Sequence, residues 1–298
     1  MVSQFEILFK KHPIKTIKYD DPSFPQNFKE LKDCPKEIYL IGNENLLNKD
    51  AISIVGTRHS SSYGNELSYD FANTLSKNGF VIVSGLAYGI DQSAHNGAIE
   101  FGNTIAIIAG GFYSSFSSTN YKIIKKILDF GGAIITEYKK DVAPKAFTFL
   151  ARNRLIAAFS LATIVIEAPL KSGALCTAMH AYELNKTLYA IPWSLNYSKG
   201  TGCNKLLKNM AIPLIDVNQI LLKFKNIQIS LLNQKNKNDF NIPKEYEPIY
   251  SFIKECGPLS SEQIYDKFKT LNISTISSAL TIMEINSLIN YKDNLFYI

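Results

Sequence analysis

From Ala51 to Ile191 the sequence alternates between short runs rich in Ile, Val and Ala and longer stretches in which apolar residues recur every third or fourth position. The short runs are Ala51–Val55, Phe80–Val83, Thr104–Ala109, Ala133–Thr136, Ala162–Glu167 and Thr187–Ile191. Most are apolar on both alternating faces, the pattern of strands covered on both sides in a parallel sheet. Such strands cannot be joined by tight turns; they need crossovers, usually helices. Leu67, Phe71 and Leu75 make one helical face ahead of the stop signal Asn78-Gly79, and Gly89–Glu100, Asn120–Phe130, Arg152–Phe159 and Ala174–Leu184 fill the other gaps. The expected fold class is therefore α/β, a doubly wound parallel sheet with flanking helices. Ligands of such sheets bind at the carboxyl ends of the strands.

The flanking segments differ. Residues 1–45 are polar and Lys-rich, with turn signals at Asp21–Pro25 and Gly42-Asn43, and are expected to pack as a short lead-in on a main domain spanning 46–222. Residues 223–244, with Asn233-Gln-Lys-Asn-Lys-Asn-Asp239 in the middle, read as a polar linker. Residues 245–298 then show three short helical patterns and a hairpin around Lys292–Asn294, the outline of a small winged-helix-like domain.

Composition narrows the function classes. At 298 residues, with 46% hydrophobic and 19% charged, the chain can bury a sizeable core. No apolar run approaches the ~18 residues of a membrane span, and Met1-Val-Ser-Gln-Phe5 lacks the apolar region of a secretory signal. Cys34, Cys176, Cys203 and Cys256 form no CxxC pair, so neither a disulfide framework nor a zinc site is expected. A cytoplasmic protein with no membrane contact and no metal follows as the expectation. The net charge of +6 favours a polyanionic partner. Of 32 basic residues only Arg58, Arg152 and Arg154 are arginine. Where lysine serves for plain charge, arginine marks positions that need a planar, multi-donor fork.

Glycine follows strand after strand: Gly56 after the first, Ser84-Gly85 with Gly89 after the second, Gly110-Gly111 after the third. Glycine turns bring backbone N–H groups close to an anion, and three at one sheet edge would make a phosphate ledge. None is a GxGxxG, so no dinucleotide cofactor is expected; GxSxG and GxxxxGK[ST] are also missing, and no cofactor of any kind is called for. The stretch Pro144–Ala158 interleaves Lys145, Arg152 and Arg154 with Phe147 and Phe149, cations for phosphates and flat rings for unpaired bases. Lys171-Ser172-Gly173 opens a further helix. Asp91 and His95, four apart on one helix face, read as structural. A binding protein, not an enzyme, is expected.

Together, Ser53-Ile-Val-Gly-Thr-Arg58 with Tyr63-Gly64, Ser84-Gly-Leu-Ala-Tyr-Gly-Ile-Asp91 with Ala94-His95, Ala109-Gly-Gly111, Glu137-Tyr138, Arg152-Asn-Arg-Leu-Ile-Ala157, Glu167-Ala168 and Lys171-Ser-Gly-Ala-Leu175 resemble the DNA-processing protein A (DprA/Smf) family. The resemblance covers about residues 18–215. It departs from the family pattern at Phe112–Phe116, where an acidic residue and Tyr-Pro are usual, and at Leu150, Trp193 and Met210. It implies an extended Rossmann-like domain that binds single-stranded DNA, dimerises and loads a RecA-type recombinase in natural transformation. On that reading amides near Gly56, Gly85, Gly110 and Gly111 take phosphates, beside Ser84, Arg58, Lys145, Lys171, Ser172 and Gly173. Phe147, or Phe149 in its place, stacks on bases, and Arg152, Asn153 and Arg154 line the floor or buttress the loops. The alternative, a nucleotide phosphoribohydrolase on a related fold, needs a Pro-Gly-Gly-x-Gly-Thr-x-x-Glu loop; Ala168–Ala178 lacks its paired glycines and glutamate.

Overall fold

The computed structural model describes residues 4–117, 119–225, 243, 246–285, 288–292 and 294–297. They fall into two units, Met1–Leu221 and Leu222–Ile298. In the first, the elements in chain order are α1 (Gln4–Lys11), β1 (Lys15–Lys18), β2 (Glu37–Gly42), β3 (Ala51–Val55), α2 (Ser62–Lys77), β4 (Val81–Ser84), α3 (Ile90–Ile99), β5 (Thr104–Ile107), α4 (Phe112–Ser115), α5 (Tyr121–Asp129), β6 (Ala133–Thr136), α6 (Ala146–Phe159), β7 (Ala162–Val165), α7 (Gly173–Glu183), β8 (Thr187–Ala190), α8 (Thr201–Asn209), β9 (Ile212–Pro213) and α9 (Asn218–Lys225).

One nine-stranded sheet runs in the order β1-β2-β6-β5-β4-β3-β7-β8-β9. From β6 to β9 all neighbours are parallel, in registers such as Ile52↔Ile82 and Ser53↔Thr163. Every residue of β3, β4, β5, β6 and β7 is buried, as two-sided helix cover requires. One core joins Val55, Val83, Ile107 and Val165 to Leu155 and Ile156 of α6 and Ala178 of α7. A second joins Ile41, Ala106 and Ile134 to Leu8 of α1 and Ile124 and Ile127 of α5. Cutting the wholly buried Ile105 back to alanine removes about 2–5 kcal/mol of stability.

The ladders of β5 and β7 stop before the apolar runs do. Ile108, Ala109 and Ile166 are buried but lie past the paired strands. Ile108 and Ile166 still donate their N–H groups to Ile135 of β6 and Val55 of β3, at 3.0 and 3.1 Å, but the regular ladder ends there while the buried apolar run continues, so apolar character overestimates strand length. Helix α6 begins six residues earlier than the apolar pattern indicates. Lys145 is a poor cap by type, but Thr148 Oγ1 accepts from its backbone N–H at 2.8 Å and closes the first turn.

The N-terminal segment is part of the sheet, not a lead-in packed on it. Strand β2 pairs antiparallel with β6 through Ile41↔Ile134, and β1 pairs antiparallel with β2. Phe24, Phe28, Ile38 and Leu40 are fully buried, Phe28 stands edge-on to Phe159 of α6, and Asn27 Nδ2 donates to the Phe159 carbonyl at 2.9 Å. Strand β1 hides this role because it is a Lys-rich edge with Ile17 alone turned inward, the charge pattern that protects sheet edges.

The second unit holds helices Glu247–Cys256, Ser261–Lys267 and Ile273–Ile285 and a hairpin of Asn290–Lys292 with Leu295–Tyr297, around a core of its own that includes Ile249, Ile264, Leu280 and Met283. Of the linker expected over 223–244, all but 223–225 and 243 lies outside the described residues.

The chain steps outward from β3 through β4 and β5 to β6, then returns to β7 on the other side of β3. That reversal leaves the carboxyl ends of β3 and β7 diverging into separate loops, the place where open α/β sheets form a crevice.

Candidate functional site

At this switch point a cleft of about 320 Å³ opens between Gly56–His59 after β3, Lys171–Ala174 at the start of α7, and Phe149, Arg152 and Asn153 of α6. It brings together six sequence candidates: Gly56, Arg58, Arg152, Asn153, Lys171 and Ser172, with Gly173 as a seventh.

Its rim is cationic. Arg58 is exposed on the loop after β3, and its guanidinium carbon lies 5.3 Å from the centre of the Phe149 ring. Lys171 is exposed across the cleft, directly before α7. Ser172 caps α7 by accepting from the Ala174 N–H at 3.3 Å, and Asn153 Nδ2 donates to the Gly173 carbonyl at 3.1 Å. The positive end of an 11-residue helix therefore faces the same space as two exposed cations.

The floor is closed and internally bonded. Arg152 donates through Nη1 to the carbonyls of Gly85 (2.8 Å) and Ile107, and through Nε to Asn153 Oδ1 (3.2 Å). It thus ties the carboxyl ends of β4 and β5 together. Its charge faces Asp91, whose carboxylate accepts from the N–H groups of Gly85 at 3.1 Å and Ala87 at 3.4 Å. Burial lowers the Arg152 guanidinium to about 10, and burial likewise pushes the Asp91 carboxyl above its ordinary value, against the pull of Arg152. The turn that Asp91 holds is tight: Gly89 has φ +78°, and a Cβ there would come within 2.5 Å of the Thr57 carbonyl oxygen. Glycine is required for the second loop to lie against the first.

Several expected contacts are committed elsewhere. Ser84 is buried and donates to the Ile54 carbonyl at 2.6 Å. The Gly85 amide is held by Asp91, and the Gly111 amide donates to the Val142 carbonyl at 2.8 Å. A Cβ on Gly110 would lie 2.9 Å from both Pro144 N and the Val142 carbonyl, so segment 139–144 covers this loop. The glycine loops therefore do not form a continuous phosphate ledge; the second reaches the cleft through Ala87 and Asp91, and of the strand-end glycines Gly56 alone lines it. Arg154 also lies off the cleft. Its Nε bonds Asp33 Oδ2 at 2.6 Å, and its Nη2 bonds Glu137 Oε2 at 2.7 Å and the Asp33 carbonyl at 3.1 Å, clamping the N-terminal segment to the end of β6. Lys145 and Phe147 are exposed at the start of α6, outside the cleft walls; Phe147 is 63% exposed and no part of the core.

Sequence reading passed over His59, which is exposed beside Arg58 on the same wall; its place in the Arg58 loop was the signal. Asp91 and His95 do not act as a pair. His95 is fully buried, and burial lowers it to about 3. Thr104 donates its hydroxyl to the Ile82 carbonyl, so His95 Nδ1 is the donor in its 2.7 Å bond to Thr104 Oγ1.

Residues 15–225 match the family described as DNA recombination-mediator protein A. Protein Smf of Synechocystis is 35% identical over 73% of this chain and 56% of its own length, and Protein Smf of Escherichia coli is 31% identical over 82% and 65%. The chain thus spans between half and two thirds of the length of these two relatives. Among solved structures, DNA processing protein A from Helicobacter pylori, studied for its single-stranded DNA binding mode, aligns with a TM-score of 0.65 at 35% identity, covering 72% of this chain and 96% of that one. DprA from Streptococcus pneumoniae aligns with a TM-score of 0.66 at 30% identity, covering 75% and 78%. The match takes in the two N-terminal strands, the switch-point cleft and all three arginines, and the chain belongs to the DNA recombination-mediator protein A (DprA/Smf) family.

Proposed function

We propose that this protein binds single-stranded DNA across the switch-point cleft, shields it, and passes it to a RecA-type recombinase in natural transformation or recombination. It acts as a homodimer in the cytoplasm and performs no catalysis. The observation that carries the reading is the rim: two exposed cations, Arg58 and Lys171, at the positive end of α7, with two aromatic rings on the adjoining turn of α6.

Phosphates sit between Arg58, Lys171 and the first turn of α7. Phe149 is half-buried in the cleft wall, where it positions the Arg58 guanidinium, and the exposed Phe147 is the base platform. Backbone charge and ring faces carry little sequence information, so sequence preference is weak, and a duplex, whose bases are already stacked, binds worse. Two clefts in a dimer act on one strand as linked sites and raise the affinity of long strands above that of one. The descriptions of the relatives as DNA processing proteins, and the single-stranded DNA mode of the Helicobacter pylori structure, support this reading.

Titration with one oligonucleotide as single strand and as duplex at ~150 mM salt tests it. A preference for the single strand of tenfold or more is expected; equal affinities would sink the reading. Loading is tested separately, by whether the protein shortens the lag of a RecA-type ATPase on strands already coated with a single-strand-binding protein.

A further inference from the structure

Outside the cleft, a second aromatic site lies where α1 packs on α4. Phe9 of α1 has its ring centre 4.9 Å from that of Tyr113 and stacks on Phe116 at 5.7 Å, while Phe5 meets Phe116 at 5.8 Å and Tyr121 at 5.3 Å. A cavity of about 540 Å³ opens among these rings, with Lys10 and Glu6 on its wall. Tyr113 itself is 49% exposed, and Lys140 Nζ lies 5.3 Å from its ring centre.

This site is joined to the region of the cleft by one continuous strip of chain. The Tyr113 N–H donates to the Lys140 carbonyl at 2.9 Å, Ser114 Oγ to the Asp141 carbonyl at 2.9 Å, and the Gly111 N–H to the Val142 carbonyl at 2.8 Å. Segment 139–145 is thereby fastened along the edge of α4. At its far end, Lys145 begins α6, whose first turn carries Phe147. Lys139, Lys140 and Lys145 are all exposed on the strip, outnumbering its one exposed acid, Asp141, and form no ion pair with a described residue, whereas Lys11 and Lys125 on the neighbouring surface are both held by Asp129. Lysines running between two exposed rings are what a single strand needs, charge for its backbone and a flat face for its bases. From Lys140 to Phe147 the chain reaches at most about 25 Å, a distance a few nucleotides can follow.

We infer that single-stranded DNA leaving the cleft follows the 139–145 strip and stacks a second base on Tyr113, with α1 holding that ring in place. The inference rests on the proposed binding of single strands at the cleft and extends it to a second platform.

The test is an oligothymidylate series from about 5 to about 20 nucleotides, bracketing the ~4–16 nucleotides that single-strand sites cover. It uses the full-length wild type, Tyr113→Ala, Tyr113→Phe and Lys139→Ala/Lys140→Ala, with melting temperatures taken on the same preparations. The short strands are expected to bind Tyr113→Ala as they bind the wild type. The long strands should bind it about five- to tenfold more weakly, and Tyr113→Phe should restore them. The double lysine variant should flatten the salt slope for long strands only, by roughly 0.7 for each phosphate that is no longer neutralised. Equal binding of wild type and Tyr113→Ala at every length overturns the inference and leaves the strip to a protein partner. Failure of the wild type to bind any length is a different result, which removes the cleft reading and this one with it.

Discussion

Arg58 and Arg152 both wall the same cleft, yet one is exposed on a loop and the other is only 5% exposed inside the sheet. Arg152 commits Nη1 to the Gly85 and Ile107 carbonyls and Nε to Asn153, and its charge faces Asp91. Arg58 touches a ring face and turns its charge outward. Arg154 repeats the first case with Asp33 and Glu137. A guanidinium enclosed by carbonyls and carboxylates fixes loops; one resting on an aromatic surface keeps its donors for a ligand. The floor should therefore control stability and the rim affinity.

The most severe test of that division is Arg152→Met. It leaves two strand-end carbonyls and the buried Asp91 without their partner, and about 3–5 kcal/mol of stability should be lost, read from urea unfolding. Single-strand affinity per folded molecule should hardly move. A stable variant with lost affinity would put Arg152 on the DNA and erase the distinction.

The next effect is a pH dependence of the interior. His95 has a folded pKa of about 3 against 6.5 for an unperturbed ring. Between those values the unfolded chain binds more protons, so stability falls as pH falls through that window, by about 2 kcal/mol from pH 7 to pH 5. In His95→Asn that share should vanish. If the pH–stability curves of wild type and variant stay parallel, burial of the ring is not its source.

On the rim, Arg58→Ala should cost about 1–3 kcal/mol in single-strand affinity and flatten the salt slope by roughly 0.7, with the melting temperature unchanged. Phe147→Ala should weaken binding by about 1–2 kcal/mol at every salt concentration, because stacking carries no counterions. A fall in melting temperature instead would return Phe147 to the interior.

The smallest effect is expected from the second unit. Its helix Ile273–Ile285 contains no lysine or arginine and buries Ile276, Leu280 and Met283. Its hydroxyls include Ser277, already bonded to Tyr265 at 2.9 Å, and Glu284 is exposed. A chain ending after Phe224 should keep single-strand affinity within about twofold, and residues 245–298 alone should bind duplex no better than ~10⁻⁴ M. Tight duplex binding by that fragment would make it a second DNA site.

Much of this architecture is legible in the chain itself. Periodicity alone marks the six strands from β3 to β8 and the longer helices between them, though not the short α4 or the first turns of α6, because residues buried on both faces leave no freedom in side-chain type. The placing of Arg58 and Lys171 after strand ends is equally readable, since open α/β sheets present ligands there. Strands β1 and β2 are not, because Lys15-Thr-Ile-Lys18 earns its place in the sheet only through pairing with a distant segment. Nor can sequence separate Phe147 from Phe149: two residues apart on one helix, they differ only in what lies above them, open surface in one case and Arg58 in the other.

What the sequence determined by itself is the order of layers, the presence of three arginines, and the placing of five glycines at strand ends, since these follow from local pattern and residue chemistry. What the tertiary structure decided is which of those groups have anything left to offer a ligand. The amides of Gly85 and Gly111, Nη1 of Arg152 and all three nitrogens of the Arg154 fork are bound by partners from other parts of the chain, such as Asp91, Val142, Ile107 and Asp33. Hydrogen bonding saturates, and a donor's availability depends on every group that folding brings within about 3 Å of it; no stretch of sequence records that.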